Sequence, residues 1–315
     1  MNDFRAQSGL VLAGIMLALA AGCASAGGND LGPGDTRYEL KSGGRERSFV
    51  VHEPAGGLKK PAALVIALHG GGGNAHTNAQ QTHFNDESDR NGFLVVHPNG
   101  TGESRPLLNA MGKGFLFTWN AGTCCGYARD QGMDDVGFIR SMIGAIRGKY
   151  AIDPKRIYAT GISNGGMLSY RLACEASDLI AAIGVVSGAQ TVSNCRPAQP
   201  VSVVHFHGTA DQNVPLLGGV GPKGYDKAPK PPVMDAINFW AKFDGAVDKP
   251  QSSSSGGLRK DVYHGTRGDV VLYVITGGGH SWPGGERMMA ALDPPATEIS
   301  ATPTIWQFFA AHPKP

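Results

Sequence analysis

Five residues, Gly161-Ile162-Ser163-Asn164-Gly165, stand between an apolar, β-rich run (Arg156 to Thr160) and a helical run (Asn164 to about Ala176). A G-x-S-x-G pentapeptide alone is common. Set between a strand and a helix, it predicts a tight turn that lifts the serine hydroxyl above a parallel sheet. Such a turn brings backbone against backbone, and Gly161, Gly165 and Gly166 supply the small residues it needs. The helix that follows points free N–H groups and the positive end of its dipole toward the serine.

The rest of the chain agrees with a sheet built around that turn. Ala62 to Leu68, Phe93 to Val96, Ile180 to Val186, Val201 to Phe206 and Val270 to Ile275 are continuous apolar runs, as expected of strands buried on both faces. Arg37 to Leu40 and Arg47 to Val51, joined by Ser42-Gly43-Gly44, read as a hairpin. A polar helical segment runs from about Asn78 to Arg90. A second helix is capped by Asp134, carries Asp135 in its first turn and repeats Ile139, Met142, Ile143 and Ile146 on one face. A third carries Val233, Ile237 and Trp240, and a last one starts with Thr302 as cap and Pro303 in first position. Residues 251–257 read as a Ser-rich loop, and residues 98–132 as a long functional loop. Alternating strands and helices predict an α/β fold, with a mostly parallel sheet covered on both faces and a single domain over residues 36–315.

Residues 1–26 read as an export signal: Arg5 precedes an apolar run from Leu10 to Ala21. Two cleavage readings stand. Ala24-Ser25-Ala26 is an A-x-A site, whereas Leu19-Ala20-Ala21-Gly22-Cys23 resembles a bacterial lipobox whose Cys23 would carry lipid and anchor the protein to a membrane. The lipobox is preferred, because it gives the lone cysteine a reason. Residues 27–35 read as a flexible tether. Export permits disulfides. Among the remaining cysteines, Cys174 and Cys195 are expected to pair, leaving the adjacent Cys124 and Cys125. No C-x-x-C spacing suggests a metal. The net charge of +2 carries no basic stripe, so nucleic acid is excluded as a partner.

A serine hydroxyl needs a base to take its proton and a carboxylate to orient that base. After Ser163, the strand ending at Phe206 runs into His207-Gly208-Thr209-Ala210-Asp211. The strand ending at Ile275 runs into Gly277-Gly278-Gly279-His280. Asp211 and His280 therefore fall on loops at the same sheet edge as Ser163, in the order Ser, Asp, His of α/β-hydrolase folds. Backbone amides of Asn164 and Gly71, the latter in His69-Gly70-Gly71-Gly72-Gly73, are the candidate oxyanion donors, with Gly72 next. No G-K-[ST] follows those glycines, which removes a phosphate cradle. His205 and His207 form an H-x-H pair, but a third metal ligand is not evident, so hydrogen bonding is the preferred reading. His76, His83 and His97 are read the same way.

The motifs LHGGGGN (68–74), GFLVVHPNG (92–100), TWNAGTCCG (118–126), MDDVGFIR (133–140), HGTADQNVP (207–215) and GGGHSWPGG (277–285), with the serine segment, resemble the secreted esterase family of polyhydroxybutyrate depolymerases and feruloyl esterases. The resemblance spans about Arg47 to Phe309 and implies the α/β-hydrolase fold. It also implies Ser163, Asp211 and His280 as a triad that needs no cofactor. It places Trp282, just after the histidine, in the acyl or aryl pocket. Trp119, in the loop beside Cys124-Cys125, is read as the opposite wall, with packing of the loops onto the domain as the alternative for both. Two departures are present. Ala246 and Thr266 stand near positions where relatives often carry a further cysteine pair, and the linker-borne binding module of polymer-degrading members is absent. The expected function is therefore an exported carboxylesterase acting on small or oligomeric esters. An acyltransferase with the same triad and a non-catalytic surface lipoprotein are the alternatives.

Overall fold

The computed structural model describes residues 32–102, 116–224, 226–288, 290 and 292–315. The expected export signal, Cys23 and residues 27–31 of the tether lie outside the described residues.

Ten strands form one sheet: β1 (Asp35–Ser42), β2 (Arg45–His52), β3 (Ala62–Leu68), β4 (Leu94–Pro98), β5 (Ile152–Ile162), β6 (Ala182–Val186), β7 (Ser202–Gly208), β8 (Gln251–Ser255), β9 (Leu258–His264) and β10 (Asp269–Ile275). Their spatial order is β1-β2-β4-β3-β5-β6-β7-β10-β9-β8. From β4 through β10 every neighbouring pair is parallel. An antiparallel hairpin closes each edge, β1–β2 on one side and β9–β8 on the other.

Period-two alternation in the buried strands divides the core. Leu64, Ile66 and Leu68 of β3 pack on one face of the sheet. There they join α4 (Asp135–Arg147), α5 (Asn164–Glu175) and α6 (Val233–Phe243). Ala63, Val65 and Ala67 turn to the other face, against Trp306 and Phe309 of α7 (Ala301–Ala311). The fold is thus the helix-covered, mostly parallel sheet that the apolar runs predict.

Four local expectations change. The polar helical segment is two helices, α1 (Ala75–Thr82) and α2 (Phe84–Asn91), because His83 between them takes a left-handed conformation with φ of 54°. Residues 251–255 are a strand, not a loop. Both faces of β8 are exposed, so it carries no apolar alternation to read. The last helix begins at Ala301 after Ser300, which moves Pro303 to its third position. The Thr302 hydroxyl instead donates to Thr82 O and accepts from Trp282 Nε1. The tether ends early: Asp35 already belongs to β1 and holds His52 Nδ1 at 2.7 Å. Within residues 98–132, a short helix α3 (Gly126–Asp130) and a bridge between Thr101 and Thr118 give the long loop structure of its own.

Candidate active site

Ser163 sits between the last residue of β5 and the first of α5 with φ of 55° and ψ of −121°. A non-glycine residue rarely adopts positive φ, and here the surroundings leave no other path. Ser163 N–H donates to Val186 O at 2.9 Å, and Ser163 O accepts from Met167 N at 2.9 Å. A Cβ on Gly165 would stand 2.3 Å from Leu68 O and 2.6 Å from His69 O. The elbow helix therefore rests on the end of β3 through bare backbone.

The glycine loop after β3 lies against this turn. A Cβ on Gly70 would stand 3.7 Å from Ser163 Cβ, and one on Gly71 would stand 3.8 Å from Asn164 Cβ. Gly72 N–H is already donated to Phe117 O at 2.8 Å, which removes it as an oxyanion donor. No described residue accepts a bond from the amide of Gly71 or of Asn164. His69 sets the direction of the first. Its Nε2 accepts from Gly100 N–H at 3.0 Å, so the proton is on Nδ1, which donates to Gly70 O at 2.8 Å. Gly70 C=O and Gly71 N–H belong to one planar trans peptide, so holding the carbonyl orients the amide. Burial lowers the His69 pKa to about 4, which keeps this ring neutral. The Asn164 side chain adds a clamp: its Nδ2 donates to Trp119 O at 2.9 Å and its Oδ1 accepts from Trp119 N at 2.7 Å.

Asp211 and His280 come together as the strand order demands. They follow β7 and β10, which are parallel neighbours with Ile275 opposite Gly208. His280 Nδ1 donates to Asp211 Oδ2 at 2.8 Å, and Asp211 Oδ1 accepts from the amides of Asn213 and Val214 at 2.9 Å each. Burial pushes the Asp211 carboxyl up. The His280 hydrogen bond and charge, the nearby His207 ring and the Val214 amide outweigh that, so it lies below the usual range. The carboxylate is fully buried, while the imidazole keeps 12% of its surface exposed. Ser163 and His280 share no hydrogen bond here, and such contacts commonly tighten only when substrate is bound. Sequence reasoning missed Asp293, whose Oδ2 accepts His280 N–H at 2.8 Å. It sits in a Pro-rich loop with no motif to mark it.

Both tryptophans are corrected. Trp282 is 1% exposed, packs edge-on against Phe84 and gives its Nε1 proton to Thr302. Trp119 is fully buried, with Nε1 donating to His69 O at 3.0 Å. Neither indole is a wall of an open pocket; each pins a loop. A cavity of about 370 Å³, lined by Gln212, Lys223, Asp293 and Glu298 among others, adjoins the loops that carry Asp211 and His280, although neither of them nor Ser163 lines it.

Cys174 and Cys195 are bonded at 2.05 Å, which ties α5 to the loop after β6. Cys124 and Cys125 are bonded to each other. Asp226 lies close to them, but sulfurs joined in a disulfide offer no thiolate to a metal. The nitrogens of His205 and His207 are taken up in hydrogen bonds, as are those of His97. No helix among the described residues is long and apolar enough to cross a membrane.

Sheet order, elbow serine and the carboxylate–imidazole pair together define an α/β-hydrolase fold. The solved acetyl xylan esterase from Aspergillus awamori shares it, with a TM-score of 0.56 over 78% of this chain and 94% of that one, at 15% identity. The family described as "Esterase PHB depolymerase" matches residues 47–229, and the chain belongs to that family. Feruloyl esterase B of Piromyces equi is 32% identical over 249 residues, covering 75% of this chain but only 42% of that relative. The chain thus spans less than half of its length. Feruloyl esterase C of Emericella nidulans is 28% identical over 276 residues, 84% of each chain.

Proposed function

We propose that the protein is an exported serine carboxylesterase. The observation that carries the reading is the 2.8 Å bond from His280 to a buried Asp211, at the sheet edge where Ser163 is held at positive φ. Ser163 Oγ attacks the ester carbonyl while His280 Nε2 takes its proton. Asp211 holds the Nδ1–H tautomer and stabilises the imidazolium that forms. The amides of Asn164 and Gly71 receive the negative oxygen of the tetrahedral intermediate. His280 then protonates the leaving alcohol, and water cleaves the acyl-enzyme by the same route in reverse.

The substrates are hydroxybutyrate oligomers or feruloyl-type esters. This class rests on family membership and on the feruloyl esterases among the relatives. The catalytic domain is residues 36–315, behind an export signal in residues 1–26 with lipidation at Cys23. Labelled palmitate should enter the wild type and not Cys23→Ser; equal labelling would remove the anchor.

The function is tested with purified protein on p-nitrophenyl esters, methyl ferulate and hydroxybutyrate oligomers. Hydrolysis of at least one class is expected, and Ser163→Ala should lower kcat by roughly 10⁴-fold with the fold intact. Residual activity within about tenfold of wild type would exclude Ser163 as the nucleophile.

A further inference from the structure

The H-x-H pair of β7 has no part in the reaction as described, yet it lies directly behind it. Four groups form one buried column. Tyr170 of the elbow helix α5 reaches His205 Nδ1 at 2.8 Å. His205 Nε2 meets His207 Nδ1 at 3.0 Å, and His207 Nε2 meets Val214 O at 2.7 Å. The same His207 nitrogen is 3.6 Å from Asp211 Oδ2, the oxygen that receives the His280 proton. Both histidines are within 1% of full burial.

The direction of the column follows from its end. A backbone carbonyl only accepts, so His207 Nε2 carries a proton. Burial, outweighing the Asp211 charge and the Val214 bond, holds the His207 pKa below its ordinary value, so the ring is neutral and its Nδ1 is a bare acceptor. His205 must then donate from Nε2 and accept at Nδ1, where the Tyr170 hydroxyl donates. Every proton points the same way, from the elbow helix toward the Asp211 loop.

We infer that Tyr170, His205 and His207 are positioning residues for the acid–base pair, acting as a one-directional hydrogen-bond relay that locks the 208–214 loop to the nucleophile's helix. The inference rests on Asp211 being the triad carboxylate. His207 acts at two points. It fixes the carbonyl of Val214, whose own amide holds Asp211 Oδ1 at 2.9 Å. Its Nε2 also lies 3.6 Å from Asp211 Oδ2, so the ring packs beside the carboxylate. The relay therefore fixes the position of the Asp211 carboxylate relative to the helix that carries Ser163. Among the described residues, the charged and titratable side chains acting on the column's histidines from outside it are Asp211 and His280.

The test compares His207→Phe, His207→Gln and Tyr170→Phe in the full-length protein. Phenylalanine keeps the ring volume and loses both bonds. Glutamine can still donate to Val214 O and accept from His205. His207→Phe should lower kcat by roughly 10²-fold with KM within about twofold, the size of effect expected from a misplacement near 1 Å. His207→Gln should recover most of that loss, and Tyr170→Phe, at the far end, should cost about threefold in kcat. Full kcat in His207→Phe, or a glutamine variant as slow as the phenylalanine one, would overturn the relay. If His207→Phe does not fold, Tyr170→Phe decides: unchanged kcat would overturn it. Asp211→Asn is measured alongside. An active Asp211→Asn would refute the triad itself, whatever the relay variants do.

Discussion

Ser163 and the Asp211–His280 pair, the proposed nucleophile and acid–base pair, meet at one edge of one sheet, but they are held there by different means. Ser163 is placed by backbone: a positive φ, a helix seated on β3 with no side chain between, and glycine amides beside it. Asp211 and His280 are placed by side chains: two loop amides on one carboxylate oxygen, Asp293 on the His280 amide, and the histidine column behind. Backbone placement has no graded failure, because any Cβ at the contact displaces a helix. Side-chain placement degrades one bond at a time. The two arms should therefore answer mutation and pH differently.

The largest effect belongs to the backbone arm. Gly165→Ala puts a methyl 2.3 Å from Leu68 O, and no rotamer relieves it. We expect complete loss of esterase activity together with a drop in melting temperature, read by calorimetry. A variant with wild-type melting and activity would break the distinction between the arms.

Acid separates His69 from Asp211 by the window in which each acts. His69 on the nucleophile side is neutral down to about pH 4, against an unfolded value of 6.5. Between those values the unfolded chain binds a proton that the native chain refuses, so stability falls as pH drops through this window. Asp211 responds with the same sign but in a lower window. Its native value lies below the ordinary 3.8, so its contribution persists above that pH and is lost only as pH falls further. The fall in melting temperature from pH 7 to pH 5 should therefore shrink in His69→Gln and stay unchanged in Asp211→Asn. The reverse pattern would contradict the assignment of this sensitivity to His69.

The smallest effect concerns Trp282, two residues beyond His280. Trp282→Phe keeps the packing against Phe84 and removes the bond to Thr302. It should cost about 1 kcal/mol of stability, seen in urea unfolding, with KM for aryl and acetyl esters unchanged. A selective rise in KM for aryl esters would return the indole to the pocket.

Much of this was open to reading because the proposed triad members each follow a buried strand, and apolar runs mark such strands without help from neighbours. Ser163, Asp211 and His280 needed only their place at strand ends. Features made by distant partners were not visible. Asp293 matters through its contact with the His280 amide, which no local pattern announces. Trp282 looked like a wall because its position beside the histidine says nothing of Phe84 and Thr302, which bury it. His205 and His207 read correctly as hydrogen-bonded, but their partners Tyr170 and Val214 carry no local signal. β8 is solvent-exposed on both faces, so the pattern that reveals buried strands does not apply to it.

The proposed chemistry rests on Ser163. A fluorophosphonate probe reacts only with a serine activated by its own base and oxyanion donors. Peptide mapping after labelling should find one adduct, on Ser163, absent from Ser163→Ala and formed much more slowly in Asp211→Asn. An esterase-active sample that carries no adduct, or carries it on another serine, would contradict the account.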